Sequence, residues 1–342
     1  MIIIKRFISL LLACFCLAGS VFAAGNSFEE QILALSQTQE EQLQAQAEKI
    51  LASILTQDMS DGEKALVIHD WIVMNCHYGY KPYRDMAYGG IINNEVLCRG
   101  YARTFVYLAN LAGLPAVYTS SAELDHAWAL VELDGSYYYA DPTWDDDHYE
   151  RIGFVNHRHF LFSSESAAEL NHYGQDVSQL CAGGEYEDAP WSDAATRVVF
   201  NGNYAYYITH SMELCRYDRT SKESEVLLAI DSVWPDFYND DGSVGVATGL
   251  VLLNNRLWFN TSSALCSTNL YGGDYKTQWT YDLEPGQMLC GVAVIENTLQ
   301  VSVASCHKDD NYFLVDTGIQ ASTAWGLVRE NRFVSFFKNL FS

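Results

Sequence analysis

A short stretch near the middle of the chain has the pattern of a β-hairpin. Residues 127–133 and 137–140 are rich in apolar and aromatic side chains, and they flank the dipeptide Asp134-Gly135. Asp-Gly favours a two-residue turn whose twist matches that of antiparallel strands. The sequence therefore predicts two strands paired directly across this turn, a pairing that the rest of the fold must accommodate.

The predicted hairpin brings an imidazole close to a carboxylate. A two-residue turn pairs Leu133 with Ser136, and counting outward places His126 and Asp141 on one face as diagonal neighbours, about 7–8 Å apart at the backbone. A carboxylate that accepts the imidazole N–H fixes the tautomer and stabilises the imidazolium, as in a nucleophile, base and acid set. The alternative is a strand-end histidine and a turn-forming aspartate before Pro142.

A candidate nucleophile precedes the hairpin. Residues 98–112 have helical apolar spacing, and Gly113 and Pro115 act as stop signals. Cys98 therefore lies at a helix start, where the helix dipole and free N–H groups favour a thiolate. The role of base then falls to His126. The alternative is that Cys98 is an ordinary buried helix residue.

Two further helical patterns lie upstream. Residues 28–57 have mostly helical apolar spacing and predict one or two amphipathic helices. Ser60 and Glu63 form a capping-box pattern that predicts a helix ending near Asn75.

The second half of the chain predicts strands and turns. Residues 200–206, 253–259 and 295–301 share one pattern, in which an apolar residue and a three-residue polar turn precede alternating residues. This spacing favours either an incomplete propeller-like array of blades or a β-sandwich. Glycines and acidic residues between 181 and 189 mark a boundary between two domains.

The amino terminus has the layout of a secretory signal peptide. Lys5-Arg6 precede an apolar run that ends in small residues near Ala23. We expect cleavage there and a secreted, periplasmic or cell-envelope location; a retained anchor and lipidation at Cys14 are the alternatives. After the signal peptide the sequence contains no run of 18 consecutive apolar residues, so we predict no membrane-spanning helix in the mature chain.

These patterns predict five segments. They are a signal peptide (1–23), an N-terminal helical region (24–58), a catalytic domain (59–180), a β-rich repeat domain (190–322) and a C-terminal tail (323–342).

Charge and cysteine content limit the function further. The chain has 20 Lys and Arg against 43 Asp and Glu, a net charge of −23, which disfavours nucleic acid as a partner. Seven cysteines follow the signal peptide, and they lack the CxxC pairs of a structural zinc site. If Cys98 is the free thiol, the other six either form up to three disulfides or remain buried and unpaired.

The weaker polar and aromatic features predict no further site. We expect solvated acidic loops at residues 145–148 and 239–242, and a solvated side chain for Arg99. Five aromatic residues could line a cleft around Cys98 or serve in ordinary packing: Tyr78, Tyr80, Tyr83, Tyr88 and Trp144. No metal or cofactor is predicted.

Three motifs, in this order and spacing, resemble the transglutaminase-like superfamily of cysteine enzymes, in particular its exported bacterial members. They are Cys98-Arg99-Gly100-Tyr101-Ala102, His126-Ala127-Trp128 and Asp141-Pro142-Thr143-Trp144-Asp145-Asp146. The resemblance extends over residues 59–165.

The resemblance implies an α+β fold: a papain-like transglutaminase core, in which a helix carrying Cys98 packs on an antiparallel sheet, followed here by the all-β domain with blade-like repeats. It implies Cys98 as nucleophile, His126 as base and Asp141 as the residue that orients it. The Cys98 N–H would supply half of an oxyanion hole. Arg99 and Ala129 depart from the residues common in relatives, which bears on substrate preference.

The sequence thus predicts an exported cysteine enzyme that performs acyl transfer on an amide, with hydrolysis of a peptide or isopeptide favoured. Its partner would be a protein or peptide substrate, cell-wall peptide being one candidate; the oligomeric state is not predicted. The alternatives are a protein-glutamine transglutaminase or deamidase, and a non-catalytic envelope protein that uses the β-rich domain for binding or scaffolding.

Overall fold

The computed structural model describes residues 32–146, 152–177, 180–181, 184–234, 245–295, 297–305 and 312–320. All of them belong to one compact unit. The predicted signal peptide and most of the C-terminal tail lie outside these residues. Among the described helices, none combines the length and the apolar character needed to cross a membrane.

Two helices precede the three sequence motifs. Helix α1 (Gln37–Ile54) begins at a capping box formed by Ser36 and Gln39, inside the segment predicted as one or two helices. Helix α2 (Asp61–Asn75) begins at the predicted capping box of Ser60 and Glu63 and ends at the predicted residue. In each box the serine accepts a backbone N–H and the third residue accepts the serine N–H, which satisfies donors that a helix start leaves free.

A four-stranded antiparallel sheet follows helix α3 (Cys98–Leu111). In spatial order its strands are β3 (Ala116–Ser121), β4 (His126–Leu133), β5 (Ser136–Ala140) and β6 (Phe160–Phe162). Between α2 and α3 lie the short parallel strands β1 (His77–Tyr78) and β2 (Glu95–Val96), and a π-helical turn (Gly89–Asn93).

The predicted hairpin register is confirmed. Leu133 pairs with Ser136 across a two-residue turn, and Ala129 pairs with Ala140. Asp134 and Gly135 both have positive φ, at 50° and 80°, as a type I′ turn requires.

Strand β4 is covered on both faces, which explains why its burial does not alternate. One face, with Ala129 and Val131, joins the main core together with helix α3. The opposite face, with Trp128 and Leu130, packs on a smaller cluster that includes Phe162. The sheet is therefore a rigid support for residues at the edges of these strands.

The second half of the chain forms three antiparallel sheets of sequence-adjacent strands. The first contains β7 (Val199–Asn201), β8 (Tyr204–Ile208), β9 (Glu213–Asp218) and β10 (Glu223–Ala229). The second contains β11 (Leu250–Leu253), β12 (Arg256–Asn260), β13 (Ala264–Asn269) and β14 (Lys276–Thr280). The third contains β15 (Gln287–Ile295), β16 (Thr298–Ser305) and β17 (Tyr312–Gln320).

The three predicted hairpins open these sheets, but their turns are one residue shorter than predicted. The pairs Asn201–Tyr204, Leu253–Arg256 and Ile295–Thr298 close two-residue turns. Asn and Gly adopt left-handed backbone conformations at low cost, so the outer polar residue of each pattern is free to join a strand.

The chain thus combines a helical part with several antiparallel sheets. Buried side chains of the β7–β10 and β11–β14 sheets share one core, and those of the β11–β14 and β15–β17 sheets share another. The main core includes residues from Leu43 to Tyr217 and so spans the predicted boundary at 181–189. The blade-like repeat and the domain division stay predictions.

The described cysteines form no disulfide with one another. Cys76, Cys98, Cys181, Cys215, Cys266 and Cys290 are buried, and Cys306 lies outside the described residues. The disulfide alternative is therefore not realised among these six, which behave as small buried apolar side chains.

One arginine joins the second half of the chain to the start of helix α2. The Arg219 guanidinium donates to both oxygens of Glu63, at 2.6 and 2.8 Å, and to the Asp58 carbonyl oxygen at 2.7 Å. Glu63 is 5% exposed, and it is the residue that closes the Ser60 capping box. Without Arg219, the buried carboxylate of Glu63 would lose its cationic partner.

We expect Arg219→Ala to lower the free energy of unfolding by about 2–4 kcal/mol, because it leaves a buried carboxylate without its counter-charge. Urea unfolding would measure the change. Lys222→Ala is the matched control, because Lys222 and Glu185 are each 63% exposed at the side chain and such pairs contribute little. Equal effects of the two substitutions would contradict this account.

Candidate active site

Cys98 is the first residue of helix α3, as predicted, and is 6% exposed. Its turn lies tightly against the preceding segment, because a Cβ on Gly100 would come within 2.2 Å of the Arg84 carbonyl oxygen. Glycine is therefore required two residues after the cysteine. The preceding residue, Leu97, offers no side-chain cap, and its carbonyl oxygen accepts the Gly100 N–H at 2.8 Å. The Cys98 and Arg99 N–H groups are therefore the first-turn donors that no side-chain cap occupies.

The three predicted site residues lie together. His126 begins strand β4, Asp141 follows strand β5, and the His126 Nε2 to Asp141 Oδ2 distance is 2.6 Å. The Cys98 side chain lies within reach of the His126 imidazole and contributes to the raised pKa of that ring. Since Nε2 donates to Asp141, Nδ1 is the ring nitrogen left for the thiol. A thiol, an imidazole and a carboxylate are thus brought together, which are the groups that a nucleophile, a base and an orienting residue would require.

Charge pairing dominates the electrostatics of these residues. Burial disfavours a charged imidazole, but the Asp141 carboxylate outweighs it and, with Cys98, raises the pKa of His126 to about 10. Burial likewise opposes ionisation of Asp141, yet His126 and His172 hold its pKa well below the usual range. The geometry therefore favours an imidazolium beside an ionised carboxylate.

Aromatic rings surround the imidazole. Trp144 stacks on His126 with ring centroids 4.5 Å apart and planes within 10°. Tyr78 is 53% exposed and stacks on Tyr101. It also interacts electrostatically with Cys98. By contrast, Tyr83 packs against Tyr88, and each adds to the main core. Only some of the five predicted aromatic residues therefore lie at the site.

Arg99 is less solvated than predicted. Its side chain is 19% exposed, and Nη2 lies 3.0 Å from Asp125 Oδ1, while Nη1 lies 3.9 Å from Asp85 Oδ1. These ion pairs hold a guanidinium next to Cys98.

A second histidine that contacts Asp141 was not predicted from the sequence. His172 Nε2 lies 2.9 Å from Asp141 Oδ2, the same oxygen that His126 contacts. The other carboxylate oxygen accepts the Thr143 N–H at 3.0 Å.

A second buried network continues from this site. Asp145 accepts from His159 and from His69, both at 3.1 Å, and Asp70 contacts His157 at 2.9 Å and His69 at 3.3 Å. Asp145 is 1% exposed, so the prediction of a solvated loop is wrong at this residue. The imidazoles supply the donors that make its burial tolerable. Asp146 accepts the Tyr101 hydroxyl, whereas residues 147–148 and 239–242 lie outside the described part of the chain.

Two groups of side chains have the spacing of metal ligands. They are His69, Asp70 and His157, and His126, Asp141 and His172, with ligand atoms within 4.8 Å of one another in each group. The nitrogen-to-oxygen contacts within these two groups are 2.6–3.3 Å, and hydrogen bonds account for them.

A compositional signal for these networks exists in the sequence. Five of the nine histidines lie between residues 126 and 172. No periodic pattern links them to their partners, because the segment after strand β5 is largely irregular. The histidine density could have indicated a buried polar cluster, but not its contacts.

Comparison with known proteins gives one family match. Residues 48–142 match the model described as the transglutaminase-like superfamily, and no curated protein matches the chain. Similar solved structures include a TGase that is 18% identical, with 32% of this chain and 33% of that chain covered and a TM-score of 0.29.

Two further structures are similar. One is a candidate cysteine protease from Cytophaga hutchinsonii, 20% identical, covering 59% of this chain and 57% of that chain, with a TM-score of 0.27. The other is the extracellular domain of BT4673 from B. thetaiotaomicron, 10% identical, covering 60% and 22%, also at 0.27. The chain spans less than two thirds of the length of each of the three.

We expect iodoacetamide to alkylate Cys98 in the native protein at neutral pH while Cys181 and Cys215 stay unmodified. Burial raises the pKa of both latter thiols to about 11, whereas Cys98 contacts a histidine at a helix start. Peptide mass spectrometry over time measures the three rates. His126→Ala should slow alkylation of Cys98 at least about tenfold; an unchanged rate would contradict the pairing.

Stability should depend on pH through the second network. Burial opposes the His69 charge, but Asp145 and Asp70 raise the pKa of His69 from 6.5 to about 9, so its stabilisation is present below pH 6.5 and is lost as pH rises to 9. Burial opposes ionisation of Asp70, but His157 and His69 lower its pKa from 3.8 to about 2, so its stabilisation is lost as pH falls below 3.8.

Thermal unfolding between pH 4 and 9 would measure this dependence. We expect the wild-type Tm to fall as pH rises above 6.5, with a His69 contribution on the order of 3 kcal/mol. His69→Gln should reduce the decrease in Tm above pH 6.5. His126→Gln should retain the part of that decrease that His69 causes. A His69→Gln curve parallel to the wild-type curve would contradict the assignment.

Proposed function

We propose that the chain is an exported cysteine enzyme that performs acyl transfer on an amide, since residues 48–142 match the transglutaminase-like superfamily. Hydrolysis of a peptide or isopeptide is the favoured reaction. The observation that carries the proposal is the contact between Cys98, at the start of helix α3, and His126, which Asp141 holds at 2.6 Å.

The proposed first half-reaction forms a thioester. The Cys98 sulfur attacks the amide carbonyl carbon after its proton has passed to Nδ1 of His126. The C–N bond then breaks, and His126 returns that proton to the leaving amine. Asp141 stays ionised and keeps Nε2 of His126 protonated, which supports the proposed role of Nδ1 as the base.

The second half-reaction releases the acyl group. A water gives a proton to His126 and attacks the thioester carbon, and the Cys98 sulfur leaves and regains a proton. The product is a carboxylic acid. A primary amine in place of water would form a new amide, which is the transglutaminase alternative. Water is favoured because it is always available to a thioester in contact with solvent.

The proposal extends to the remaining parts of the chain. Residues 1–23 would direct export, residues 59–180 would carry catalysis, and residues 190–322 would bind or position a protein or polymer substrate outside the cell. Cell-wall peptide is a candidate substrate.

We expect Cys98→Ala to abolish turnover, by at least about 1,000-fold, because no other group can form the thioester. Cys215→Ala is the matched control, since Cys215 is a buried cysteine in strand β9 and should leave turnover within about twofold.

The assay would present peptides and cross-linked cell-wall peptides, each with and without a fluorescent primary amine, and identify products by mass. Gain of water indicates hydrolysis, and an amine adduct indicates transfer. Equal product formation by the wild-type protein and Cys98→Ala would refute the enzyme proposal in favour of the scaffold alternative.

A further inference from the structure

His172 occupies a defined place beside the proposed triad. Its Nε2 lies 2.9 Å from Asp141 Oδ2, and its Nδ1 lies 2.8 Å from the Leu170 carbonyl oxygen. The residue is 2% exposed, and Asp141 is fully buried. Both ring nitrogens of His172 therefore face oxygen atoms in a region that water reaches poorly.

Hydrogen-bond accounting fixes the state of this ring. A carbonyl oxygen and an ionised carboxylate only accept, whereas a neutral imidazole has a single N–H. Both contacts of His172 are satisfied only when both nitrogens carry protons. The other solution, a proton on Asp141, would remove the negative charge that accepts the His126 Nε2 donor at 2.6 Å on the same carboxylate oxygen.

Packing holds the ring in this orientation. Trp144 lies 4.4 Å away, Phe162 4.7 Å and Trp128 4.8 Å, measured between ring centroids, and the Trp128 contact is perpendicular at 89°. Besides Asp141, the titratable rings that face His172 are those of His126 at 6.0 Å and His159 at 5.6 Å. His172 is thus a fixed donor to Asp141.

We propose that His172 is a positioning residue for the acyl-transfer reaction, acting on His126 through Asp141. This inference rests on the proposed function. His172 holds the carboxylate ionised and in one rotamer, so that Asp141 aligns His126 with Cys98.

Two substitutions separate positioning from packing. His172→Phe keeps an aromatic ring among Trp128, Trp144 and Phe162 but removes both hydrogen bonds. His172→Gln restores a neutral N–H donor toward Asp141. In the full chain, we expect His172→Phe to lower kcat about 10- to 100-fold with KM within about threefold, and His172→Gln to recover most of the kcat.

His157→Phe is the matched control for loss of a buried histidine. His157 also lies between a carboxylate and a backbone carbonyl, with Asp70 at 2.9 Å and Ala194 at 3.1 Å, but it does not contact Asp141. We expect this substitution to lower Tm while leaving the rate of Cys98 alkylation within about twofold of the wild-type rate, whereas His172→Phe should slow alkylation at least fivefold.

A third measurement needs no substrate. Nitrogen-15 NMR of the wild-type imidazole rings at neutral pH should show His172 with both nitrogens protonated, the signal being assigned by its loss in His172→Gln. A singly protonated ring would overturn the proposal. So would a divalent metal found by elemental analysis whose removal with a chelator changes the His172 signal.

The outcomes also separate this inference from the proposed function. If no substrate is turned over but alkylation of Cys98 depends on His172 as predicted, the positioning role stands and the acyl-transfer proposal fails. If turnover requires Cys98 while His172→Phe has wild-type kcat and alkylation rate, the positioning role fails alone.

Discussion

The buried carboxylate of Asp141 is the constraint on which the site depends. An ionised carboxylate without donors is costly in a protein interior, so its surroundings must provide N–H groups with good geometry. Here they come from the start of strand β4, from the Thr143 backbone and from His172, 31 positions along the chain. The Asp141 N–H in turn donates to the His159 carbonyl oxygen at 2.8 Å. The irregular segment after strand β5 is therefore organised by one charge.

The same solution recurs deeper in the molecule. Asp145 and Asp70 each accept from two histidines, and the two carboxylates share His69. Asp70 also accepts the Val198 N–H at 3.0 Å, just before strand β7. Buried carboxylates and imidazoles thus connect helix α2, the segment after strand β5 and the entry to the first of the later sheets. Because each member needs the others for charge and hydrogen bonds, we expect these parts to form and unfold cooperatively.

Contacts within one local element could be predicted well from the sequence, whereas contacts between distant segments could not. The Asp134-Gly135 turn determined the register of its strands, and that register was enough to bring His126 and Asp141 together. The position of Cys98 followed from helical spacing and stop signals in the same way. The role of His172 could not be predicted, because no regular element connects it with Asp141. The wrong expectation for Asp145 has a related cause: an acidic run resembles a solvated loop until the histidines that neutralise it are located in space.

Local charge also makes an acidic chain compatible with the nucleophile proposed at Cys98. The net charge of −23 would oppose a thiolate if it acted uniformly over the molecule. In salt solution, however, exposed charges are screened beyond about 10 Å, while contacts inside the protein are screened much less. The groups nearest Cys98 are the His126 imidazole, the first turn of helix α3 and the adjacent Arg99 guanidinium, which Asp125 holds at 3.0 Å. The field at the sulfur is therefore set by these few positive neighbours, and the acidic surface can serve the solubility of the chain without suppressing its nucleophile.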